Sequence, residues 1–225
     1  TEVFKGDRVV ADGVERSLED VTDLSTSLVS STDPFGDGSL VAKYLFNTDL
    51  SAEIGATAIA SGVVAYPIGV HDECIQLGGT VNFKTTNANV KTLNFRFRYD
   101  VTTTQPYMFD ARTSGTGFVY INANKPTFAD LTLKIDTVSV SSDTFVLTNG
   151  QWYNIEATFT TPQSGVIVFS ESNIGGSIAQ CSFDQLEQYN RALTPTEATT
   201  LYTQTSTKYS ADFNTPLASI PTSVY

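Results

Sequence analysis

Apolar and polar residues alternate through most of the chain between residues 40 and 189, with the period of two that is typical of β-strands. Clusters of Gly, Asn, Asp, Pro and Ser separate these stretches at regular intervals. The predicted strands are 40–46, 74–83, 92–101, 107–111, 117–122, 131–135, 139–147, 152–160, 165–170 and 177–189. A series of short strands without helices between them predicts an all-β sandwich or barrel.

Helical patterns occur only at the two sides of this region. Thr194 stands at an N-cap position, with Pro195 at N1 and Glu197 at N3, which is the pattern of a capping box at the start of a helix. Residues 15–28 space leucine and valine at helical intervals between acidic residues. This second segment is predicted to be a short helix or an extended connector that becomes ordered against a partner.

These patterns divide the chain into three parts. Residues 1–32 are interpreted as an N-terminal attachment segment, residues 33–204 as the sandwich domain, and residues 205–225 as an extended C-terminal tail. Because neither terminal segment has enough apolar residues for a core of its own, both are expected to bury against other subunits.

Composition narrows the range of partners. The chain has 225 residues, 24 acidic against 13 basic side chains and a net charge of −11, so it repels nucleic-acid phosphates. No apolar run approaches the roughly 18 residues of a membrane span. The first residues lack a signal-peptide pattern, so either a signal peptide was removed or the protein never had one.

Cys74 and Cys181 predict either one disulfide or two buried thiols.

Three stretches, in the right order, resemble laminin G-like domains, which have the concanavalin A-like lectin fold. LVAKYLFNTD at 40–49 is similar to the opening strand of that family, and TNGQWYNIEATF at 148–159 is similar to its tryptophan-containing strand. FDQLEQYNRALTPTE at 183–197 matches the closing motif almost position by position, and CIQLGG at 74–79 is similar to a further strand. The resemblance implies a two-sheet antiparallel jelly-roll sandwich with one short C-terminal helix and extended termini.

The residues that carry the resemblance are interpreted mainly as framework. Trp152, at the start of an alternating strand, is expected to be a core anchor between the sheets. Asp184 and Arg191 are expected to hold the last strand and the turn into the helix through hydrogen bonds from side chain to backbone.

Many members of the family have a calcium site in the turn after the opening strand, where several oxygen ligands converge. Here Ala52 and Ile54 stand at two of the positions that usually supply ligands. Asn47, Asp49 and Glu53 remain as candidate metal ligands. The expectation is therefore that the protein has no cofactor, with calcium as the alternative.

Glycanases of the same fold place two or three carboxylates on alternate positions of one strand, about 5 Å apart. Asp184 and Glu187 differ by three positions and are expected on opposite faces, and Glu156 and Glu171 are single acids in their strands. His71, the only histidine, is interpreted as a solvated loop residue. The chain is therefore predicted not to be an enzyme.

Binding is the alternative to catalysis, because domains of this type hold sugars with amides, carboxylates and an aromatic platform. The candidate ligand-binding residues on one predicted hairpin are Asp110, Arg112, Tyr120 and Asn122. The simpler interpretation of the same residues is the polar outer face of a hairpin. The loop at 170–176, with Glu171 and Asn173, is a second candidate.

The turn-rich run DPFGDGS at 33–39, which leads into the opening strand, resembles segments of bacteriophage tail-fibre and virion-surface proteins. This resemblance predicts a non-enzymatic module on a virion surface, a fibre or decoration protein, that contacts host-surface glycan. Such a module is expected to be a homo-oligomer that joins other virion subunits through its termini, without membrane insertion. Two alternatives stay open: a purely structural virion protein without glycan binding, and a fragment of a secreted adhesin on the bacterial cell surface.

Overall fold

A computed structural model describes residues 8–11, 14–17, 33–70, 73–78, 81–101, 107–112, 116–172, 175 and 180–212 of the chain. The chain divides into two compact units, Thr1–Gly38 and Ser39–Tyr225. The first unit contains an antiparallel hairpin of β1 (Arg8–Ala11) and β2 (Val14–Ser17). The segment predicted as a helix or connector at 15–28 thus begins as a strand, and its remaining part, 18–28, lies outside the described residues.

The second unit is a two-sheet antiparallel jelly-roll sandwich, which confirms the predicted fold class. Its strands are β3 (Leu40–Tyr44), β4 (Ile59–Ala60), β5 (Ile75–Leu77), β6 (Phe83–Val101), β7 (Tyr107–Asp110), β8 (Phe118–Asn122), β9 (Lys125–Ala129), β10 (Leu131–Ile135), β11 (Val138–Val140), β12 (Trp152–Phe169) and β13 (Gln180–Tyr189). Helix α1 (Pro195–Asp212) follows them in the described part of the chain. The sequence pattern did not predict β4 or β9. β9 contains Pro126, which reads as a strand breaker but is tolerated in an edge strand.

The two longest strands, β6 and β12, run through both sheets of the sandwich. Their paired segments 92–98 and 152–158 belong to the first sheet, where β13, β3 and β5 continue beyond β6, and β10 and β11 beyond β12. Their segments 83–90 and 163–169 belong to the second sheet, with β4 beside β6, and β7, β8 and β9 beside β12. The register shifts around Gln163, and such an irregularity bends the strands from one sheet into the other.

Phenylalanine rings from both sheets meet in the core. Phe183 of the first sheet packs edge-on against Phe83 and Phe169 of the second sheet, with ring centres 5.2 and 5.7 Å apart. Phe83 and Phe169 stack on each other at 4.6 Å. All three rings are fully buried, so the aromatic cluster joins the two sheets.

Cys74 and Cys181 are free thiols, and both are buried. Burial raises the pKa of the Cys74 thiol to about 11 and that of the Cys181 thiol to about 12, because a low-dielectric interior disfavours the thiolate. Of the two alternatives that the sequence left open, the structure contains the pair of buried thiols.

The prediction that Trp152 anchors the core is wrong. Side chains alternate between the two faces of a strand, and at this end of β12 Tyr153 and Ile155 enter the core. Trp152 therefore points to the outer face of the first sheet, where it is half-buried. The guanidinium carbon of Arg98 lies 5.2 Å from the centre of the Trp152 ring.

A bulge in β13 also overturns the expected separation of Asp184 and Glu187. The register shifts between these residues, and Gln185 has a φ of 49°. As a result Asp184 pairs with Arg96 and Glu187 with Asn94, so that both carboxylates lie on the outer face of the first sheet. Both are buried, with 0% and 9% of their surface exposed.

Helix α1 begins with the predicted capping box. The N–H of Thr194 donates to Oε2 of Glu197 at 2.7 Å, and the N–H of Glu197 donates to Oγ1 of Thr194 at 3.3 Å. The helix extends to Asp212, so residues 205–212 are helical rather than extended as predicted, and the rest of the predicted tail lies outside the described residues. In the described part of the chain, no helix is long and apolar enough to cross a membrane.

Candidate functional site

Three aromatic side chains lie together on the outer face of the second sheet, on the hairpin of β7 and β8. Phe118 and Tyr120 are two residues apart on β8 and therefore share a face, with ring centres 5.8 Å apart and ring planes 20° apart. Tyr107 of β7 pairs with Tyr120, and their ring centres are 5.7 Å apart. All three side chains are half-buried, so each ring leaves part of its surface open to solvent. These three residues, together with Arg112 and Asp110, are called the aromatic patch below.

Arg112 lies over the rings of the patch. Its guanidinium carbon is 4.6 Å from the ring centre of Phe118 and 5.5 Å from that of Tyr107, which is the geometry of a cation–π contact. Its Nη2 also donates a hydrogen bond to the Tyr107 hydroxyl at 3.1 Å. The side chain is 36% exposed, so the guanidinium forms part of the protein surface.

Asp110 holds Arg112 in this orientation. Its carboxylate is fully buried and accepts hydrogen bonds from Nη2 of Arg112 at 2.6 Å and from Nε at 3.0 and 3.2 Å. It also accepts a bond from the backbone N–H of Arg112 at 3.0 Å. These bonds raise the pKa of the Arg112 guanidinium, which stays protonated. Because the two charges are opposite and in contact, the pair adds little net charge to the surface.

The structure brings together three of the four residues that the sequence suggested on this hairpin. Asp110, Arg112 and Tyr120 are all members of the aromatic patch. Asn122 is exposed on the same face of β8, two residues or about 7 Å beyond Tyr120, at the end of the strand. It lies at the margin of the patch and not within it.

Sequence reasoning missed Tyr107 and Phe118. The available signal for Phe118 was the aromatic residue two positions later on the same predicted strand, since alternate residues share a face. Tyr107 had no comparable signal. An irregularity in the pairing between Tyr107 and Phe109 places Tyr107 beside the patch, and only the register of the two strands shows it.

The second candidate loop follows the end of β12. Glu171 lies three residues after Val168, the pairing partner of Asp110, and its Oε2 accepts a hydrogen bond from Nδ2 of Asn82. Asn173 lies outside the described residues. The described contacts therefore place Glu171 with Asn82, near the start of β6.

The candidate calcium ligands lie in the turn after β3. Oδ1 of Asp49 accepts hydrogen bonds from the backbone N–H and the hydroxyl of Ser51, at 2.8 and 2.5 Å, and these bonds lower the pKa of Asp49. Glu53 forms an ion pair with Lys43 at 3.0 Å, and Asn47 is exposed. Within the described ranges, no three His, Cys, Asp or Glu side chains are grouped closely enough to hold a metal ion. The expectation of no cofactor stays a prediction, with calcium as the alternative.

The two polar residues assigned to the framework make contacts with the backbone. Asp184 accepts a hydrogen bond from the N–H of Val70 at 2.8 Å, which ties β13 to a segment far away in sequence. Arg191 donates to the carbonyl of Ala192 at 3.1 Å and forms a fork with Glu197, at 2.9 and 2.7 Å. These bonds connect the last strand to helix α1.

A second arginine–aspartate pair lies on the opposite side of the sandwich. Nε of Arg98 donates to Oδ1 of Asp100 at 2.7 Å, and Nη2 donates to Oγ of Ser182 at 3.3 Å. The Arg98 and Asp100 side chains are 22% and 16% exposed, and one aromatic ring, that of Trp152, lies beneath the guanidinium. This cluster resembles the aromatic patch chemically but has a smaller aromatic surface.

The remaining carboxylates on the outer face of the first sheet are engaged in internal contacts. Glu156 accepts a hydrogen bond from Nζ of Lys134 at 2.7 Å, and Glu187 accepts one from the Tyr189 hydroxyl at 2.8 Å. Both carboxylates are buried. Their contacts support the sheet and do not form an open site.

A shallow cavity of about 520 Å³ lies along helix α1 and is lined by Pro195, Thr196, Thr199, Thr200 and Thr203. The hydroxyls of the last three threonines donate to carbonyls one turn earlier in the helix. The cavity thus offers few polar groups to a ligand, and the aromatic patch is the better candidate site.

No protein-family model and no curated protein matches the chain. Among solved structures, the chain is similar to domain 4 of AbnA, a GH43 extracellular arabinanase from Geobacillus stearothermophilus, in complex with arabinotriose. The TM-score is 0.56 and the identity 16%, over 73% of this chain and 98% of that one. It is also similar to the botulinum neurotoxin serotype G binding domain, with a TM-score of 0.50 and 14% identity, over 76% of this chain and 52% of that one.

The chain spans about half the length of the neurotoxin binding domain. At these identities the likeness concerns the fold alone. It shows that the chain has a β-sandwich fold.

Proposed function

We propose that this chain is a non-enzymatic carbohydrate-recognition module that binds glycan through the aromatic patch. The observation that carries the proposal is the exposed guanidinium of Arg112 beside the half-buried rings of Tyr107, Phe118 and Tyr120. A sugar ring has an apolar face of C–H groups and a rim of hydroxyls, so it fits an aromatic surface next to hydrogen-bond donors. The similarity to a domain solved with arabinotriose supports the same class of ligand.

The composition of the patch favours binding over hydrolysis. Its one carboxylate, Asp110, is fully buried and bonded to Arg112. Glycoside hydrolysis usually needs two carboxyl groups on either side of the scissile bond. We therefore expect the bound glycan to be released unchanged.

We further propose that the module is displayed on a virion surface as a homo-oligomer that joins other virion subunits through its termini. The support is the resemblance of the run DPFGDGS at 33–39, which leads into the opening strand, to segments of virion-surface proteins, and the shortage of apolar residues in 1–32. Labelling of intact virions by antibodies against the chain tests the proposed display on a virion. Labelling of bacterial surfaces alone would favour the adhesin alternative.

Glycan binding is tested by retention of the full chain on a glycan array, followed by titration of any retained glycan. Tyr120→Ala removes one ring of the platform and is expected to weaken binding at least tenfold. Tenfold corresponds to only about 1.4 kcal/mol, less than the roughly 1.5–3 kcal/mol gained by fully burying a large apolar side chain.

Trp152→Ala is the matched control, because Trp152 is also a half-buried aromatic residue under an arginine, but on the opposite face. The control is expected to bind like the unmodified chain. Absence of retention across neutral and acidic glycans, or equal losses in the two variants, would contradict the proposal. Release of new reducing ends from a retained glycan would contradict the non-enzymatic part.

A further inference from the structure

We infer that the aromatic patch selects neutral sugars, whose hydroxyl groups accept hydrogen bonds from Nη1 of Arg112, and discriminates against acidic sugars. This inference rests on the proposed glycan binding and names the class of sugar. It follows from the hydrogen bonds that Arg112 already makes and from the negative charge of Asp110 next to it.

Arg112 has more hydrogen-bond donors than its partners Asp110 and Tyr107 use. A guanidinium has five N–H groups in one plane. Nε donates to Asp110, and Nη2 donates to Asp110 and to the Tyr107 hydroxyl. No group in the described part of the chain accepts a hydrogen bond from Nη1. Two N–H groups therefore remain, and the contacts of Arg112 with Asp110 hold them in a fixed orientation.

The charge of the patch disfavours acidic sugars. A free guanidinium binds carboxylates strongly because the hydrogen bonds are assisted by opposite charges. Here Asp110 already supplies that partner, at 2.6 Å and fully buried, where water screens it poorly. An acidic sugar would meet a neutralised arginine with a second carboxylate directly behind it. A sugar hydroxyl accepts a hydrogen bond from Nη1 without adding charge.

The described lysines near the patch do not restore a positive site. Lys84 and Lys125 lie on the same face of the second sheet. Lys84 is two strands, or about 10 Å, away from Asp110, which is close to the screening length at physiological salt. Lys125 pairs with Asn122, at the margin of the patch. The net charge of the whole chain is −11, which opposes the approach of anionic glycans.

The arrangement of the three rings determines where a sugar ring can stack. The guanidinium lies over Phe118 and Tyr107, so Tyr120 is the ring of the patch that is left for stacking. Phe118 and Tyr120 are nearly parallel, at 20° and 5.8 Å. A sugar that stacks on Tyr120 would point its hydroxyl rim toward the neighbouring Arg112.

The test compares matched neutral and acidic glycans on the full chain, for example an oligosaccharide of galactose against one of galacturonic acid, together with sialylated and unsialylated forms of one glycan. The unmodified chain is expected to bind the neutral member of each pair at least tenfold more tightly. Asp110→Asn removes the negative charge that compensates Arg112. It is expected to shift the ratio of the affinities for the neutral and the acidic glycan at least tenfold toward the acidic member.

Asp100→Asn is the matched control, because it makes the same change beside Arg98 on the opposite face and is expected to leave the ratio unchanged. Arg112→Lys provides a second variant in case Asp110→Asn does not fold. It keeps the charge but removes the N–H pair, so binding of neutral glycan is expected to fall at least tenfold.

The outcomes separate this inference from the proposed function. Preference of the unmodified chain for acidic glycans, or unchanged neutral binding in Arg112→Lys, would overturn the inference and leave glycan binding intact. A chain that retains no glycan of either kind would overturn the proposed function itself.

Discussion

Phe183 connects the two sheets of the sandwich, and its truncation is the most direct test of the fold. The side chain is fully buried, and its ring centre lies 5.2–5.7 Å from those of four other phenylalanines. These neighbours are Phe83, Phe95, Phe97 and Phe169. Phe183→Ala would open a cavity between the sheets that neighbouring rings on rigid strands cannot fill.

The expected cost combines the lost burial of the ring with the cavity that remains. Truncation of a buried phenylalanine to alanine costs about 3–5 kcal/mol in the free energy of unfolding. For a domain of this size, each kcal/mol lowers the melting temperature by roughly 2–4 °C. We therefore expect a decrease of about 6–20 °C in the melting temperature.

The assay is thermal unfolding followed by circular dichroism, together with urea unfolding to obtain the free energy directly. Phe118→Ala is the matched control, since it removes the same atoms from a half-buried position on the outer face. It is expected to cost no more than about 1–2 kcal/mol. If Phe183→Ala were no more damaging than Phe118→Ala, the view that this ring joins the two sheets would be refuted.

Two further predictions concern a turn and the helix. Gly117 has a φ of 103°, and a Cβ there would lie 2.7 Å from Cδ1 of Phe159, whereas Gly150 also has a positive φ but open space around it. Gly117→Ala is therefore expected to cost about 1–3 kcal/mol more than Gly150→Ala in urea unfolding, and equal costs would argue against the close approach. Hydrogen bonds from Arg191 lower the pKa of Glu197 from 4.5 to about 2, so its contribution to stability is complete above pH 4.5 and is lost as the pH falls through 2. Because this carboxylate is accessible to solvent, Glu197→Gln should reduce the free energy of unfolding by about 1 kcal/mol or less at neutral pH. The difference between the variant and the unmodified chain should vanish as the pH falls through 2, and a difference independent of pH would contradict this.

Local signals predicted the parts of the fold that depend on neighbours in sequence. The capping box at Thr194 and Glu197 is confirmed because its two hydrogen bonds join residues three positions apart. Strands such as β8 and β10 were predicted because alternation within a few residues is enough to define them. The two-sheet sandwich follows from many such strands without intervening helices.

Bends and bulges limited the prediction of individual strands. β6 appeared to begin at residue 92, because the asparagines before it resemble a turn, yet the strand starts at Phe83 and bends near Asn89, which has a φ of 59°. β12 was divided at 161–164, because the sequence TPQS there also resembles a turn. The bulge at Gln185 reversed the expected faces of β13, since one extra residue changes the phase of every later side chain.

In the candidate site, too, some features were predicted from the sequence and others depended on how the strands pack. The alternation along the sequence placed Asp110, Arg112 and Tyr120 on one hairpin, and these three side chains lie together. Alternation alone cannot tell which set of alternate residues enters the core, so the expected core position of Trp152 was wrong. The pairing of Tyr107 with Tyr120 depended on the register between two strands, which no single strand encodes.

By itself, then, the sequence determined the class of fold, the start of the helix and the acidic surface, because each depends on composition or on residues a few positions apart. Tertiary structure alone decided which face each strand buries, and that Asp110 neutralises an arginine lying over aromatic rings. Burial of a carboxylate and the distance from a cation to a ring arise only when separate strands pack together. The physical character of the aromatic patch is therefore a property of the folded sandwich.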